Sequence, residues 1–326
     1  MKAIELSFTE KQAKLELNHE VDLPKRTENQ LLIKVEAAAI NRTDLMAKES
    51  GKLPKGSSIL GVEVSGIVLE SDSELFPQGS RVMGLVNGGG YAEYAVMNIG
   101  NAMPLSEQLT FEEGAAIPEV FLTAYQTLFW LGELKSTESV LIHAGASGVG
   151  TAAIQLVKQL TSAKIFVTAG TPEKLELCRS LGADILINYK EEAFPQIVQK
   201  ETEGKGVDLI LDFVGASYWE SNLASIAYDG RLILIGILGG SLVKEVNLMT
   251  LLEKRITVKG TVLTPRSDAY KAELTKEFLS KTTMLFESGQ LKPVVDSVFL
   301  LENVEAAHQY MLENKNKGKI ILKINE

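Results

Sequence analysis

The residues with the plainest chemical potential are Gly145-Ala146-Ser147-Gly148-Val149-Gly150. They lie between an apolar run ending at His143 and the helix-spaced apolar residues of Thr151-Ala152-Ala153-Ile154-Gln155-Leu156-Val157. Glycines let backbone N–H groups approach phosphate oxygens, and a helix start adds partial positive charge, so strand, turn and helix together suit a dinucleotide diphosphate. Gly145 and Gly150 fill the first and third positions of the dinucleotide fingerprint, while Ser147 stands where its second glycine would be. The plainer alternative is glycines that merely permit a tight turn. The next apolar run would decide between cofactors, because a carboxylate at its end would bind the ribose 2′-OH and repel a 2′-phosphate. None is there: the segment runs Thr168-Ala169-Gly170-Thr171-Pro172-Glu173-Lys174. Thr171 reads as a helix N-cap and Pro172 as the first helical residue. One turn in, Lys174 can set its ammonium on a 2′-phosphate, which favours NADPH over NADH; a solvated surface lysine is the competing reading.

These residues need elements to hold them. From Met1 to about Pro118, short β-type runs such as Leu31-Leu32-Ile33-Lys34-Val35 and Gly66-Ile67-Val68-Leu69 are cut by Gly, Pro and Ser, which reads as a β-rich domain. Over about 119–255, the apolar runs Ser139-Val140-Leu141-Ile142-His143, Lys164-Ile165-Phe166-Val167-Thr168, Val207-Asp208-Leu209-Ile210-Leu211-Asp212 and Arg231-Leu232-Ile233-Leu234-Ile235 alternate with helical stretches. That alternation implies a buried, doubly wound parallel sheet. The last zone, 256–326, closes on Lys319-Ile320-Ile321-Leu322-Lys323, a strand expected to pair back into the first domain.

Bulk properties narrow the field. The 326 residues, 45% of them hydrophobic, suffice for two cores. A net charge of −9 opposes any general grip on nucleic acid or anionic lipid, and no stretch reaches the ~18 apolar residues of a membrane span. The start, Met1-Lys2-Ala3-Ile4-Glu5-Leu6-Ser7, offers no apolar signal core, so a soluble, unprocessed, cytoplasmic protein is expected. The single cysteine, Cys178, fits a reduced compartment and reads as a small core residue. His19, His143 and His308 form no evident triad or metal constellation, and His143 reads as a satisfied buried residue.

Four segments together resemble the zinc-free, zeta-crystallin-like quinone oxidoreductase branch of the medium-chain dehydrogenase/reductase superfamily. They are Ala39-Ile40-Asn41-Arg42-Thr43-Asp44, Leu60-Gly61-Val62-Glu63-Val64-Ser65-Gly66, Ala115-Ala116-Ile117-Pro118-Glu119, and the turn with the helix behind it. Ser217-Tyr218-Trp219-Glu220 and Asn314-Lys315-Asn316-Lys317-Gly318-Lys319-Ile320 resemble in particular the branch's tumour-suppressor-inducible group. The resemblance spans essentially the whole chain. It implies a Rossmann domain inserted into a GroES-like β-rich domain, with cofactor and substrate in the cleft between them.

Zinc members of the superfamily bind their metal through a Cys and a His at the positions held here by Asn41 and Val62, so the resemblance implies no metal. Without a Lewis acid, alcohol oxidation gives way to reduction of an already electrophilic acceptor, a quinone or an α,β-unsaturated carbonyl or enoyl thioester. The resemblance sets Asn41 beside nicotinamide and substrate, its amide donating to developing negative charge; an Arg42–Asp44 pair that merely orients a loop is the competing reading. It sets Thr123 near the nicotinamide and Ser147, Gly148 and Val149 at the diphosphate. Gly170, Lys174 and Tyr189 surround the adenosine phosphate, Asn316 lies at the cofactor's far side, and Gly215, Gly236 and Leu238 form the cleft floor. Lys52 stands where relatives often carry a tyrosine, which replaces a stacking aromatic by a flexible cation in the substrate loop. Relatives pair edge strands of two Rossmann sheets, and the apolar run 231–238 is the candidate edge for a homodimer. A cofactor-binding structural protein, as lens crystallins of the family are, or an RNA binder is the reading from another class.

Overall fold

A computed structural model of the chain describes residues 1–8, 13–51 and 57–325. Lys52 lies outside them. Two compact units emerge, one made of Met1–Leu122 with Leu263–Glu326 and the other of Thr123–Val262, against sequence expectations of changes near 119 and 256.

The first unit begins with the antiparallel pair β1 (Ala3–Phe8) and β2 (Ala13–Asn18). Next come β3 (Gln30–Ile40), α1 (Arg42–Ser50), β4 (Glu63–Glu70), β5 (Arg81–Leu85), β6 (Tyr94–Asn98) and β7 (Ala102–Pro104). Two short helices follow, α2 (Phe111–Ala115) and α3 (Pro118–Tyr125). α2 starts on a capping box in which Thr110 and Glu113 satisfy each other's backbone N–H.

The second unit alternates as the apolar runs predict: β8 (Ser139–Ile142), α4 (Gly148–Leu160), β9 (Lys164–Ala169), α5 (Pro172–Ser180), β10 (Ile185–Asn188) and α6 (Phe194–Glu201). It continues with β11 (Val207–Asp212), α7 (Trp219–Ser225), β12 (Ile226–Leu234), α8 (Leu248–Lys254) and β13 (Thr257–Gly260). All pairings are parallel, in the order β10-β9-β8-β11-β12-β13. This is the doubly wound Rossmann order, which reverses between β8 and β11 and so opens a crevice at the strands' carboxyl ends. Leu141, Phe166, Ile187, Ile210 and Leu232 form its core with Val198 of α6.

The chain then returns to the first unit through α9 (Asp268–Glu287), β14 (Val295–Leu300), α10 (Val304–Leu312) and β15 (Lys319–Lys323). As expected, β15 pairs back, antiparallel to the end of β3 with Ile320 opposite Ile40. That sheet runs β14-β15-β3-β4-β5-β7, with β6 also on β3. Leu31, Ile33, Val35, Val64, Val68, Met97 and Leu322 fill its core.

One expectation is corrected. The run 231–238 is not an edge strand: β12 ends at Leu234 and lies between β11 and β13. The edge belongs to β13, whose Thr257 pairs with Arg231 and whose outer side is unpaired among the described residues. Gly236 and Leu238 sit in the loop beyond β12.

Candidate functional site

In the second unit the Gly-rich turn forms as strand, turn and helix. Ser147 is the N-cap of α4, its Oγ accepting from Gly150 N at 3.1 Å. Ser147 therefore replaces a glycine with a residue that caps the helix while still leaving N–H groups open. Among the described residues, the N–H groups of Gly148 and Val149 have no acceptor, which leaves the helix's positive end addressed outward. Gly150 is required by close approach, since a Cβ there would lie 2.5 Å from Ala144 O and 2.6 Å from Gly145 O. Gly145 N donates to Thr168 O at 2.9 Å, tying the turn to β9.

Beyond β9, Thr171 caps α5 with its Oγ1 accepting from Lys174 N, and Lys174 lies half-buried in the first turn. Gly170 and Tyr189 come together: a Cβ on Gly170 would stand 2.7 Å from the Tyr189 hydroxyl. Tyr189 is exposed, with its ring edge on Tyr218 at 6.4 Å. Gly215, at φ +82°, stands against Gly236, Ile237 and Gly240, and Leu238 N donates to Phe213 O, so the loops beyond β11 and β12 pack on each other. Thr123 is buried on α3.

A polar chain that ends on one carboxyl group, unread in the sequence, supports these loops. Thr168 Oγ1 meets His143 Nδ1 at 2.9 Å, and His143 Nε2 meets Asn222 Oδ1 at 2.8 Å. Because an amide oxygen only accepts, Nε2 carries the proton and Thr168 donates to Nδ1. Asn222 Nδ2 donates to Asp212 Oδ2 at 3.0 Å, and Asp212 Oδ1 accepts from Val214 N at 2.7 Å and Gly215 N at 3.1 Å. Burial pushes His143 down to about 4, so the imidazole is neutral. His143 is thus the satisfied buried residue expected. Cys178 is buried too, and burial lifts its thiol to about 12.

The first unit buries a charged cluster. Asn41, at the N-terminus of α1, is held from both ends of its amide. Lys319 Nζ donates to Asn41 Oδ1 at 2.7 Å, to Glu63 Oε1 at 2.7 Å and to Ile40 O at 3.0 Å. Asn41 Nδ2 donates to Glu63 Oε1 at 2.8 Å, with a weaker 3.4 Å contact to Ala39 O. Glu63 Oε2 accepts from Glu119 N, at the start of α3, at 2.8 Å. This narrows the role expected for Asn41, because one amide N–H is committed to Glu63. Arg42 and Asp44 do not pair. Arg42 Nη2 reaches Asn314 Oδ1 at 3.1 Å, while Asp44 accepts from Asn41 N at 2.8 Å, Gly61 N at 3.1 Å and the Tyr91 hydroxyl. Burial lifts Asp44 to about 6 and, with the nearby charge of Glu63, lifts Glu119 to about 8. Asn316, in the turn before β15, donates from Nδ2 to Gly318 O at 2.8 Å.

Sequence reading missed Glu63, Lys319, Asp212 and Asn222. The available signal was a charge set in or at the end of an apolar strand, as in Gly61-Val62-Glu63-Val64, Lys319-Ile320-Ile321 and Ile210-Leu211-Asp212.

Comparison with known proteins agrees with this architecture. Residues 27–107 match the alcohol dehydrogenase GroES-like domain, and residues 148–279 match the zinc-binding dehydrogenase family. A zinc ion does not fit the residues around Asn41: its oxygen faces an ammonium, Val62 has no donor atom, and among the described residues no three His, Cys, Asp or Glu side chains gather as a metal site. The chain is 30% identical over 328 residues to the quinone oxidoreductase of Lama guanicoe, covering 99% of this chain and 97% of that one. It superposes with a TM-score of 0.84 on the quinone oxidoreductase of Thermus thermophilus, whose structure is also known with NADPH, at 30% identity and covering 99% and 100% of the two chains. The CurK enoyl reductase superposes at 0.82 with 25% identity, covering all of both chains. The chain belongs to the quinone oxidoreductase branch of the medium-chain dehydrogenase/reductase superfamily of oxidoreductases.

Proposed function

We propose that the chain is an NADPH-dependent, zinc-independent reductase that transfers hydride to quinones. The observation that carries the cofactor is the α4 terminus, where the Gly148 and Val149 N–H groups stand open behind the Ser147 cap as a diphosphate needs. Gly145, Ser147, Gly148 and Val149 take the diphosphate, and Gly170, Lys174 and Tyr189 take the adenosine 2′-phosphate. Two features support this: no carboxylate stands at the end of β9, and Lys174 lies in the first turn of α5. Thr123, Gly215, Gly236 and Leu238 border the nicotinamide, and Asn316 takes the cofactor's far side. Asn41 orients the acceptor with its less tightly held N–H, and the family resemblance assigns Lys52 to the acceptor as well.

The absence of thiolate or imidazole donors at Asn41 and Val62 favours an acceptor that is already electrophilic. The test is NADPH and NADH absorbance loss with ortho- and para-quinones, enones and enoyl thioesters side by side. Quinone turnover with NADPH is expected; turnover of enoyl thioesters alone rejects the quinone assignment in favour of the chemistry named for the CurK enzyme. Lys174→Glu is expected to raise KM for NADPH about tenfold while leaving KM for NADH nearly unchanged, as loss of one phosphate contact implies. An equal effect on both cofactors rejects the role of Lys174.

The reading includes a homodimer formed along β13, in a reducing cytoplasmic compartment. Val258 on this edge, with Ile237, Leu242, Leu248 and Leu252 in the segments before it, leaves an exposed apolar surface suited to a second copy. Elution at monomer mass in size exclusion at micromolar concentration rejects the dimer.

A further inference from the structure

Three carboxyl groups, Glu63, Asp44 and Glu119, share the buried interior of the first unit with two ammonium groups, Lys319 and Lys271. Their hydrogen bonds are unequal. Glu63 receives Lys319, Asn41 Nδ2 and Glu119 N, while Asp44 receives two backbone N–H groups and the Tyr91 hydroxyl. The Glu119 carboxyl receives none among the described residues. The Lys271 ammonium, on α9, donates instead to Asn87 Oδ1 at 3.0 Å. An unpaired buried carboxylate beside another is the form that does not survive, so Glu119 is the member that keeps a proton.

Glu119 also stands where such a proton is useful. Its backbone N–H and the Asn41 amide donate to opposite oxygens of the same Glu63 carboxylate. Glu119 and Thr123 are i and i+4 on α3, so their Cβ atoms lie roughly 6 Å apart on one helix face.

We propose that Glu119 is the proton donor of the reduction, delivering its carboxyl proton to the acceptor after hydride arrives. This rests on the hydride-transfer reading above. The acceptor gains a hydride, two electrons and one proton, from a reduced nicotinamide, and is left with negative charge on oxygen or as an enolate. The Glu119 O–H bond breaks, an O–H or C–H bond forms on the product, and the carboxylate left behind recovers its proton from water. Protonation at neutral pH agrees with the upward shift of Glu119 to about 8 by burial and by Glu63 and Asp44, against which Lys319 and Lys271 pull downward.

The test uses the full-length protein with whichever acceptor the panel turns over. In the wild type, kcat should fall as pH rises through about 8. Glu119→Gln should lower kcat at pH 7 about 10²-fold, the lower range for a general acid, and abolish that alkaline limb while NADPH binding by fluorescence titration holds. Glu119→Asp, an acid displaced by one methylene, should recover part of the rate. Unchanged kcat and an unchanged limb in Glu119→Gln overturn the proposal. A separate infrared measurement needs no turnover: the carboxylic-acid carbonyl band at pH 7 should vanish in Glu119→Gln. If the wild type lacks that band, Glu119 holds no proton and the proposal fails even where acceptors turn over. A band present while no acceptor turns over refutes the reductase reading, and the delivery step with it.

Discussion

Each unit buries a polar network, and the two are built oppositely. The chain through Thr168, His143, Asn222 and Asp212 is linear and almost neutral; each donor along it meets one acceptor, and it ends on the backbone of Val214 and Gly215. The cluster of Lys319, Asn41, Glu63, Asp44 and Glu119 is branched and ionic, with Lys319 the ammonium bonded within it against three carboxyls. A satisfied chain whose imidazole stays neutral at neutral pH fixes geometry there, which suits loops that must hold a dinucleotide in one pose. A cluster with an excess carboxyl stores a proton, which suits a reaction that consumes one.

The sharpest way to break this contrast is to remove a charge from the ionic side. Lys319→Met leaves Glu63 buried without its ammonium and should cost about 3–5 kcal/mol in urea unfolding, the penalty for breaking a buried pair from one side. Adding Glu63→Gln should restore much of that loss, because the orphaned charge is then gone. A single variant within about 1 kcal/mol of wild type, below the range for a buried pair, would mean that solvent reaches the cluster.

On the neutral side, Asn222→Leu leaves the His143 Nε2–H and Asp212 Oδ2 without partners. The expected loss is about 2–3 kcal/mol, smaller than for Lys319 because little charge is stranded. Since Asp212 also holds Val214 N and Gly215 N, the dissociation constant for NADPH should rise about tenfold with it. Stability lost with unchanged cofactor affinity would make the chain a core feature with no reach to the loops.

How far these networks could be read from residues alone follows from their ranges. The turn at residues 145–150 and the Thr171 cap are local: strand, glycine and cap residues adjoin in the chain, and both formed as read. The β13 edge was misplaced because Thr257-Val258-Lys259-Gly260 is too short and polar to announce a strand, yet backbone pairing with β12 needs no apolar side chain. The ionic cluster was illegible for a different reason. Glu63 and Lys319 are 256 positions apart, and only the return of β15 onto β3 brings them together. What holds the Asn41 amide was hidden for the same cause, since a motif names the residue but not its partners.

The smallest effect separates the two networks most cleanly by pH. His143 has a folded value of about 4 against an ordinary 6.5, so the folded state binds fewer protons and stability falls as pH drops from about 6.5 toward 4. His308, also lowered to about 4 mainly by burial, acts in the same window and direction. Glu119 has the opposite sign. Its folded value of about 8 exceeds the ordinary 4.5, so its contribution is complete below 4.5 and is lost as pH rises through 8. Asp44, lifted to about 6, has the same sign as Glu119 but acts at lower pH. Approaching pH 8, well above the ordinary histidine value of 6.5 and the raised Asp44, Glu119 is the main member of these networks that still links protons to folding. Relative to Glu119→Gln, wild-type stability there should decline by about 1 kcal/mol per pH unit, under the ~1.4 limit for one proton because Glu119 is itself part-deprotonated. Equal slopes in the two proteins would place the proton elsewhere in the cluster and erase the distinction between a unit that stores charge and one that does not.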